Sequence, residues 1–141
     1  MERVQRAVPM LSYENVAAAI DWLGTAFGFE ERGERYTEPD GTVTHAELEL
    51  GGARVMLGWP GPDYRSPARH AEECEQAHRW LEVPCIIDGV LVYVADVDAH
   101  CERARVAGAK ILREPKDEPY GRFYNAADLE GHRWMFMHAP G

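Results

Sequence analysis

The chain contains an internal repeat, and this repeat restricts its fold more than any other feature of the sequence. Residues 12–30 read SYENVAAAIDWLGTAFGFE, and residues 93–111 read YVADVDAHCERARVAGAKI. In each copy a short apolar strand, predicted at 8–12 and at 90–94, leads into a helical stretch that ends near glycine. Asn15 and Asp96 stand where the side chain of a helix N-cap is expected to accept a backbone hydrogen bond.

A second pair of matching segments follows each helix. GGARVML at 51–57 resembles EGHRWMF at 130–136, and an extended segment precedes both. Each half therefore reads as strand, helix and a run of strands, which is too little to bury a core unless two copies pack together. We expect one domain over 1–141, with module one at about 1–58, a proline-rich linker at about 59–88 and module two at about 89–141.

Hairpin geometry predicts which side chains share a face. A two-residue turn at Gly51-Gly52 places Glu49 opposite Arg54 and Glu47 opposite Met56. One face of this hairpin then carries apolar side chains that suit packing under a helix. The opposite, polar face carries His45, Glu47, Glu49, Arg54 and Met56.

The second half is expected to form a similar hairpin around a turn at 128–131. This turn would place Tyr124 opposite Met135 and Arg122 opposite Met137. An apolar and aromatic pocket would then be formed by Tyr93, Tyr124, Met56, Met135 and Met137, or these side chains are simply part of the core.

The segments HAELELGGARVML at 45–57 and DLEGHRWMF at 128–136, in repeated order, resemble the vicinal-oxygen-chelate superfamily of glyoxalase I, bleomycin-resistance proteins and extradiol dioxygenases. They look like its glyoxalase/bleomycin-resistance-like bacterial branch. The resemblance implies an α+β fold in which two βαβββ modules form a curved mixed sheet around a cavity, with the helices on the outside. Such a cavity is commonly completed in a homodimer.

Members of this superfamily commonly hold a divalent metal at four positions, and the resemblance places these at Val8, Met56, Gly89 and Met135. None of the four is a carboxylate or an imidazole, the groups that a hard or borderline divalent ion requires. We therefore predict no metal and no cofactor at these positions.

Eight side chains are candidates for contact with a ligand. They are His45, Glu47, Met56, Trp59, Tyr93, Arg122, Tyr124 and Met135. His45 and Glu47 are also candidates for acid–base chemistry, although a solvated face with a Glu49–Arg54 pair explains the same pattern. His100 is expected to be solvated on a polar helix, and His132 to stabilise the neighbouring turn.

Composition restricts the partners. The chain has 15 Lys and Arg against 24 Asp and Glu, and this net charge of −9 argues against nucleic acid and favours a cationic ligand. No apolar run approaches the roughly 18 residues of a membrane span, and the N-terminus lacks the pattern of a secretory signal. The expected location is the cytoplasm, with the three cysteines reduced. Edge strands and paired modules predict a homodimer.

These observations favour a metal-free protein that binds and sequesters a small aromatic or cationic molecule in a hydrophobic cavity. The alternative is a lyase, isomerase or dioxygenase of the glyoxalase type, which would use an atypical metal site or acid–base chemistry by His45 and Glu47. A third interpretation is a partner-binding role for the linker at 59–88. Whether a reaction is catalysed stays open at this point, because one scaffold supports many reactions.

Overall fold

The computed structural model describes residues 5–139, and the chain order contains the same unit twice. The first unit consists of β1 (Met10–Ser12), α1 (Val16–Phe27), β2 (Glu30–Thr37), β3 (Val43–Leu50) and β4 (Ala53–Gly58). Between the units lie α2 (Pro67–Glu73), α3 (Glu75–Arg79) and a 3-10 turn (Trp80–Glu82). The second unit consists of β5 (Gly89–Val94), α4 (Val97–Val106), β6 (Lys110–Glu118), β7 (Gly121–Ala127) and β8 (Arg133–His138).

Each unit forms its own four-stranded sheet. The strand orders are β1-β4-β3-β2 and β5-β8-β7-β6. In both sheets the first pair of strands is parallel and the other two pairs are antiparallel, so both sheets are mixed. This confirms the predicted α+β plan of two βαβββ modules.

The two long helices begin at the predicted caps. The Oδ1 atom of Asn15 accepts a hydrogen bond from Ala18 N at 2.9 Å, and the Oδ1 atom of Asp96 accepts one from Ala99 N at 3.0 Å. These bonds satisfy backbone N–H groups that have no partner within the helix. The first strand is shorter than predicted, since β1 begins at Met10 and leaves Val8 outside it.

The hairpin between β3 and β4 has the predicted register. Gly51 and Gly52 both have positive φ values, 56° and 87°, which a two-residue turn of this kind requires and which glycine adopts without a steric penalty. Glu49 pairs with Arg54, Glu47 pairs with Met56 and His45 pairs with Gly58, as expected.

Both sheets and both long helices contribute to one hydrophobic core. Helix α1 packs on β3 of the first sheet and beside α4. At its C-terminal end, the ring of Phe27 lies 5.6 Å from that of Trp134 and 4.7 Å from that of Phe136, both on β8 of the second sheet. The inner faces of the two sheets therefore pack towards the same helices.

The turn between β7 and β8 joins the two units through buried carboxylates. Asp128 accepts hydrogen bonds from Tyr13 Oη at 2.6 Å and from Trp134 Nε1 at 3.0 Å. Glu130 accepts from the backbone N–H groups of Glu14 and Asn15, at 2.7 and 3.0 Å. Burial and the Asp128 carboxylate raise the pKa of Tyr13 well above its ordinary value, so the phenol remains a donor.

Candidate functional site

The outward faces of the two sheets are the surfaces on which most predicted site residues lie. On the first sheet, Met10 pairs with Met56 and Glu47 pairs with Met56 from the other side, so all three side chains point away from the core. On the second sheet, Leu91 pairs with Met135 and Tyr93 with Met137. Both helices lie on the inner faces, and they leave these outward faces without a helix.

The outward face of the first sheet is mostly charged. Arg54 lies 3.2 Å from Glu47 and 3.5 Å from Glu49, and Arg32 lies 3.2 Å from Glu49 on its other side. This confirms the predicted Glu49–Arg54 pair. Half-exposed pairs of this kind contribute only about 0–1 kcal/mol each to stability, so they form a polar wall rather than a buried reactive centre.

His45 lies on the same face, where its ring is 5.7 Å from that of Tyr36. The Glu47 carboxylate accepts a hydrogen bond from Arg54, so it is already engaged as a partner of a cation. Because these two side chains share one face of β3, the structure brings His45, Glu47 and Met56 together, as the hairpin register predicts.

On the outward face of the second sheet, apolar side chains are exposed along the edge strand β5. Leu91 is 45% exposed and Tyr93 is 50% exposed, although both stand in the middle of a strand. Met135 is half-buried between Leu91 on one side and Asn125 on the other. Exposed apolar side chains in register on a sheet indicate a binding surface, because solvated sheet faces normally carry polar residues.

The predicted register of Tyr124 and Arg122 is wrong. Residues 128–132 form a five-residue connection, so Tyr124 pairs with Phe136 and not with Met135. A shift of one residue moves every side chain of a strand to the other face. Tyr124 is therefore fully buried in the core, and Arg122 pairs with Asp98 of α4 at 2.8 Å.

Trp59 is partly buried. It directly follows β4, and its side chain packs against the hydrophobic core. His132 behaves as expected, since its backbone N–H donates to Asp128 and its ring Nε2 lies 2.6 Å from the carbonyl oxygen of Ser12.

His100 is not solvated as predicted but is half-buried between the two units. Its Nε2 lies 2.8 Å from the carbonyl oxygen of Phe27, and its Nδ1 lies 2.6 Å from Tyr124 Oη. Since a carbonyl can only accept, the neutral ring donates from Nε2 and accepts the Tyr124 hydroxyl proton at Nδ1. Burial lowers the pKa of His100, which favours this neutral form.

Tyr93 and His100 border a cavity of about 390 Å³ at the junction of the units. The periodicity of a polar helix gave no signal for His100, because its burial depends on the contact between α4 and α1.

Arg133 is a further residue that the sequence did not indicate. Its guanidinium is buried and donates to the carbonyl oxygen of Trp80 at 2.7 Å and to that of Val83 at 3.3 Å. These bonds hold the segment at 80–83 against one end of the outward face of the second sheet. The sequence carries no signal for this, since an arginine at the start of a strand is usually exposed.

The four positions that the sequence resemblance assigns to metal ligands do not suit a divalent ion. Val8 precedes β1, Gly89 has no side chain, and Met56 and Met135 offer only thioethers, which are soft and weak ligands. Across residues 5–139, no group of three or more His, Cys, Asp or Glu side chains is placed to hold a metal ion. The donor set therefore does not fit the metal of the family's enzymes.

Within residues 5–139, no helix is long and apolar enough to span a membrane.

Comparison with known proteins agrees with this fold. The model of the Glyoxalase/Bleomycin resistance protein/Dioxygenase superfamily matches residues 5–136. The uncharacterised protein Mb0911c of Mycobacterium bovis is 34% identical over 131 residues, which cover 89% of this chain and 78% of that protein. The uncharacterised protein Rv0887c of Mycobacterium tuberculosis is also 34% identical, with 89% and 69% covered.

Solved structures show the same similarity. TioX from Micromonospora sp. ML1 is 34% identical, with a TM-score of 0.68 over 97% of this chain and 98% of that chain. TnmS3, an antibiotic binding protein from Streptomyces sp. CB03234, has the same fold at 18% identity, with a TM-score of 0.63 over 99% and 100% of the two chains. The chain therefore belongs to the glyoxalase/bleomycin resistance protein/dioxygenase superfamily.

Proposed function

We propose that this protein binds and sequesters a small aromatic molecule on the outward faces of its sheets, without a metal ion. The observation that carries this proposal is the row of apolar side chains on the second sheet, Leu91, Tyr93 and Met135. In this row Met135 stands at one of the positions that the sequence resemblance assigns to metal ligands. A thioether and an aromatic ring bind an apolar ligand by contact area, and they supply no acid, base or Lewis acid.

We further propose that the binding site is completed in a homodimer. The inner faces of both sheets pack towards the same helices, so the two outward faces of one chain point away from each other. β1 and β5 are edge strands of their sheets, and Met10 on β1 is 78% exposed. If β1 of one chain lies beside β5 of another, both edges gain a partner, and the charged face that carries Glu47 and Arg54 adjoins the apolar face.

The charge of the chain favours a cationic ligand. A net charge of −9 attracts cations and repels anions at long range, and this raises the association rate of cationic molecules. TnmS3, which has the same fold, is an antibiotic-binding protein, and this supports a small-molecule ligand here. The cytoplasm is the compartment that we propose for this activity.

A titration with two aromatic fluorescent dyes tests the proposal. Ethidium is an aromatic cation and 8-anilinonaphthalene-1-sulfonate is an aromatic anion, and both become brighter when they leave water. We expect saturable binding of ethidium, with weaker binding of the anion, and a preference that falls as salt is added. Leu91→Ala should weaken ethidium binding, because it removes part of the apolar face.

Val106→Ala is the matched control. Val106 lies at the end of α4, is 86% exposed and does not belong to either outward face. Equal loss of binding in both variants, or no saturable binding of either dye, would refute the proposed site. Sedimentation showing a monomer at micromolar concentration would refute the homodimer.

A further inference from the structure

The two halves of the repeat differ at one carboxylate. Glu130 in the turn between β7 and β8 and Gly51 in the turn between β3 and β4 stand at the first position of the matching segments EGHRWMF and GGARVML. Each of them lies near the loop that leads into a long helix, Glu130 at the start of α1 and Gly51 at the start of α4. Glu130 fills this place with a side chain, and Gly51 cannot. The start of α4 therefore lacks an acidic group that the start of α1 has.

The Glu130 carboxylate shows what such a group does at this place. It accepts hydrogen bonds from two successive backbone N–H groups, those of Glu14 and Asn15, at 2.7 and 3.0 Å. Burial and the carboxylates of Glu14 and Asp128 raise the pKa of Glu130, whereas the two backbone N–H groups lower it. The loop before α1 thus binds both oxygens of a carboxylate, even with other acidic groups nearby.

The corresponding loop before α4 borders a cavity instead of a side chain. Ala95 and Asp96 are the counterparts of Glu14 and Asn15 in the repeat. Together with Gly51 they line the cavity of about 390 Å³ at the junction of the units. The two N-cap residues have nearly the same backbone conformation, with φ and ψ of −134° and 92° at Asn15 and of −131° and 99° at Asp96. Within residues 5–139, neither the Ala95 nor the Asp96 N–H has an acceptor, so two backbone donors are free here.

Two charged side chains also border this cavity. The guanidinium of Arg103 donates to the carbonyl oxygens of Thr25 and Gly24, at 3.1 and 2.9 Å, and its Nη1 has no acceptor among residues 5–139. The Asp96 carboxylate accepts from Ala99 N as the cap of α4. Because the positive charge of Arg103 offsets the negative charge of Asp96, the cavity can take one further anionic group.

The rest of the cavity wall is mostly apolar. Phe27, Leu50 and Ala99 line it with aromatic or aliphatic side chains, and Tyr93 adds a half-exposed ring. A carboxylate bound at the two free N–H groups would therefore have its hydrocarbon part beside apolar surface, and an aromatic ring suits this surface.

We propose that this cavity binds a small aromatic carboxylate, which supplies the acidic group that Gly51 lacks. Its two oxygens accept hydrogen bonds from the N–H groups of Ala95 and Asp96, and its ring packs on the apolar wall. Arg103 balances its charge. The inference goes beyond the proposed function, because this site lies at the junction of the units, needs no homodimer and shares only Tyr93 with the apolar row on the second sheet.

Benzoate and benzamide test this proposal, because they have nearly the same shape and only benzoate is an anion. Binding is followed by 1H–15N NMR of the whole protein, in which the amide signals of Ala95 and Asp96 report on the proposed donors. We expect benzoate to shift both signals downfield and to bind about tenfold more tightly than benzamide, since a hydrogen bond to a charged acceptor is the stronger one. The amide signals of Glu14 and Asn15, whose donors are already bonded, should stay in place.

Asp96→Asn is the informative variant, because it gives α4 the same kind of N-cap that Asn15 gives α1. It removes the negative charge from the cavity wall, and we expect it to bind benzoate about fivefold more tightly, with unchanged binding of benzamide. A gain of affinity cannot result from misfolding. Asp21→Asn is the matched control, since it makes the same change at an exposed residue of α1 that does not border the cavity, and it should leave both affinities unchanged.

Equal affinities of the wild type for benzoate and benzamide would overturn the carboxylate as the recognised group. Ala95 and Asp96 signals that do not move at millimolar benzoate would overturn the cavity as its site, and so would an equal change of affinity in Asp96→Asn and Asp21→Asn. The dye titration judges the outward faces separately, so either proposal can fail without the other.

Discussion

The buried carboxylate of Asp128 provides the sharpest test of how the two units hold together. It accepts four hydrogen bonds: from Tyr13 Oη, from Trp134 Nε1, and from the backbone N–H groups of Glu130 and His132. In Asp128→Asn the shape is preserved, but one of the two acceptor oxygens becomes an amino group. If that amino group takes the place of Oδ2, it meets Trp134 Nε1–H, which cannot accept, and the Tyr13 hydroxyl, which must turn round to accept, so both present bonds to that oxygen are lost.

The expected cost follows from these two bonds. A hydrogen bond to a charged acceptor contributes about 1.5–3 kcal/mol, so we expect Asp128→Asn to lower the free energy of unfolding by roughly 3–6 kcal/mol. This is a large part of the free energy of unfolding of a typical domain, which is roughly 5–15 kcal/mol. Urea unfolding followed by tryptophan fluorescence measures it, at one fixed protein concentration because a dimer's stability depends on concentration.

Two variants serve as controls. Tyr13→Phe removes only one donor and should cost about 1.5–3 kcal/mol. Asp117→Asn makes the same chemical change at an exposed carboxylate, which pairs with Arg122 at the surface, and it should stay within about 0.5 kcal/mol of the wild type. If Asp128→Asn unfolds within about 1 kcal/mol of the wild type, this turn does not join the two units as described.

Three further predictions concern single positions. Because burial lowers the pKa of His100, the free energy of unfolding should fall as the pH decreases below about 6.5, by at most about 1.4 kcal/mol per pH unit. Urea unfolding of His100→Gln at several pH values should lack this contribution to the pH dependence. Arg133→Met should increase amide hydrogen exchange in the segment at 80–88 about tenfold, since two bonds to its carbonyls are lost, and unchanged exchange would contradict that role. Gly131→Ala should lower the melting temperature more than Gly52→Ala. The value of φ is positive at both positions, but only at Gly131 would the added Cβ come within 2.8 Å of Ala68 N. Equal decreases in melting temperature would refute this explanation.

The sequence predicted those parts of the fold that local rules determine. The repeat predicted two βαβββ modules, and the helix caps at Asn15 and Asp96 follow from side-chain chemistry next to the helix. The β3–β4 register follows from the two glycines, whose positive φ values fix the turn and with it the pairing of every residue in the hairpin.

The parts that failed depend on tertiary context. The β7–β8 connection is one residue longer than a four-residue turn, because the 128–132 turn folds around the Asp128 carboxylate, and this places Tyr124 in the core. His100 owes its environment to α1 and β7, which are distant from α4 in the sequence. No periodicity could therefore have separated a buried histidine from a solvated one.

Native mass spectrometry of protein purified without a histidine tag and without chelators tests the central proposal most directly. It reports the oligomer, any bound metal and any retained small molecule in one measurement. We predict a homodimer without a stoichiometric divalent ion, with any additional mass belonging to an organic molecule. One divalent ion per site would contradict the proposal, because Met56 and Met135 could not then occupy the ligand positions assigned to them.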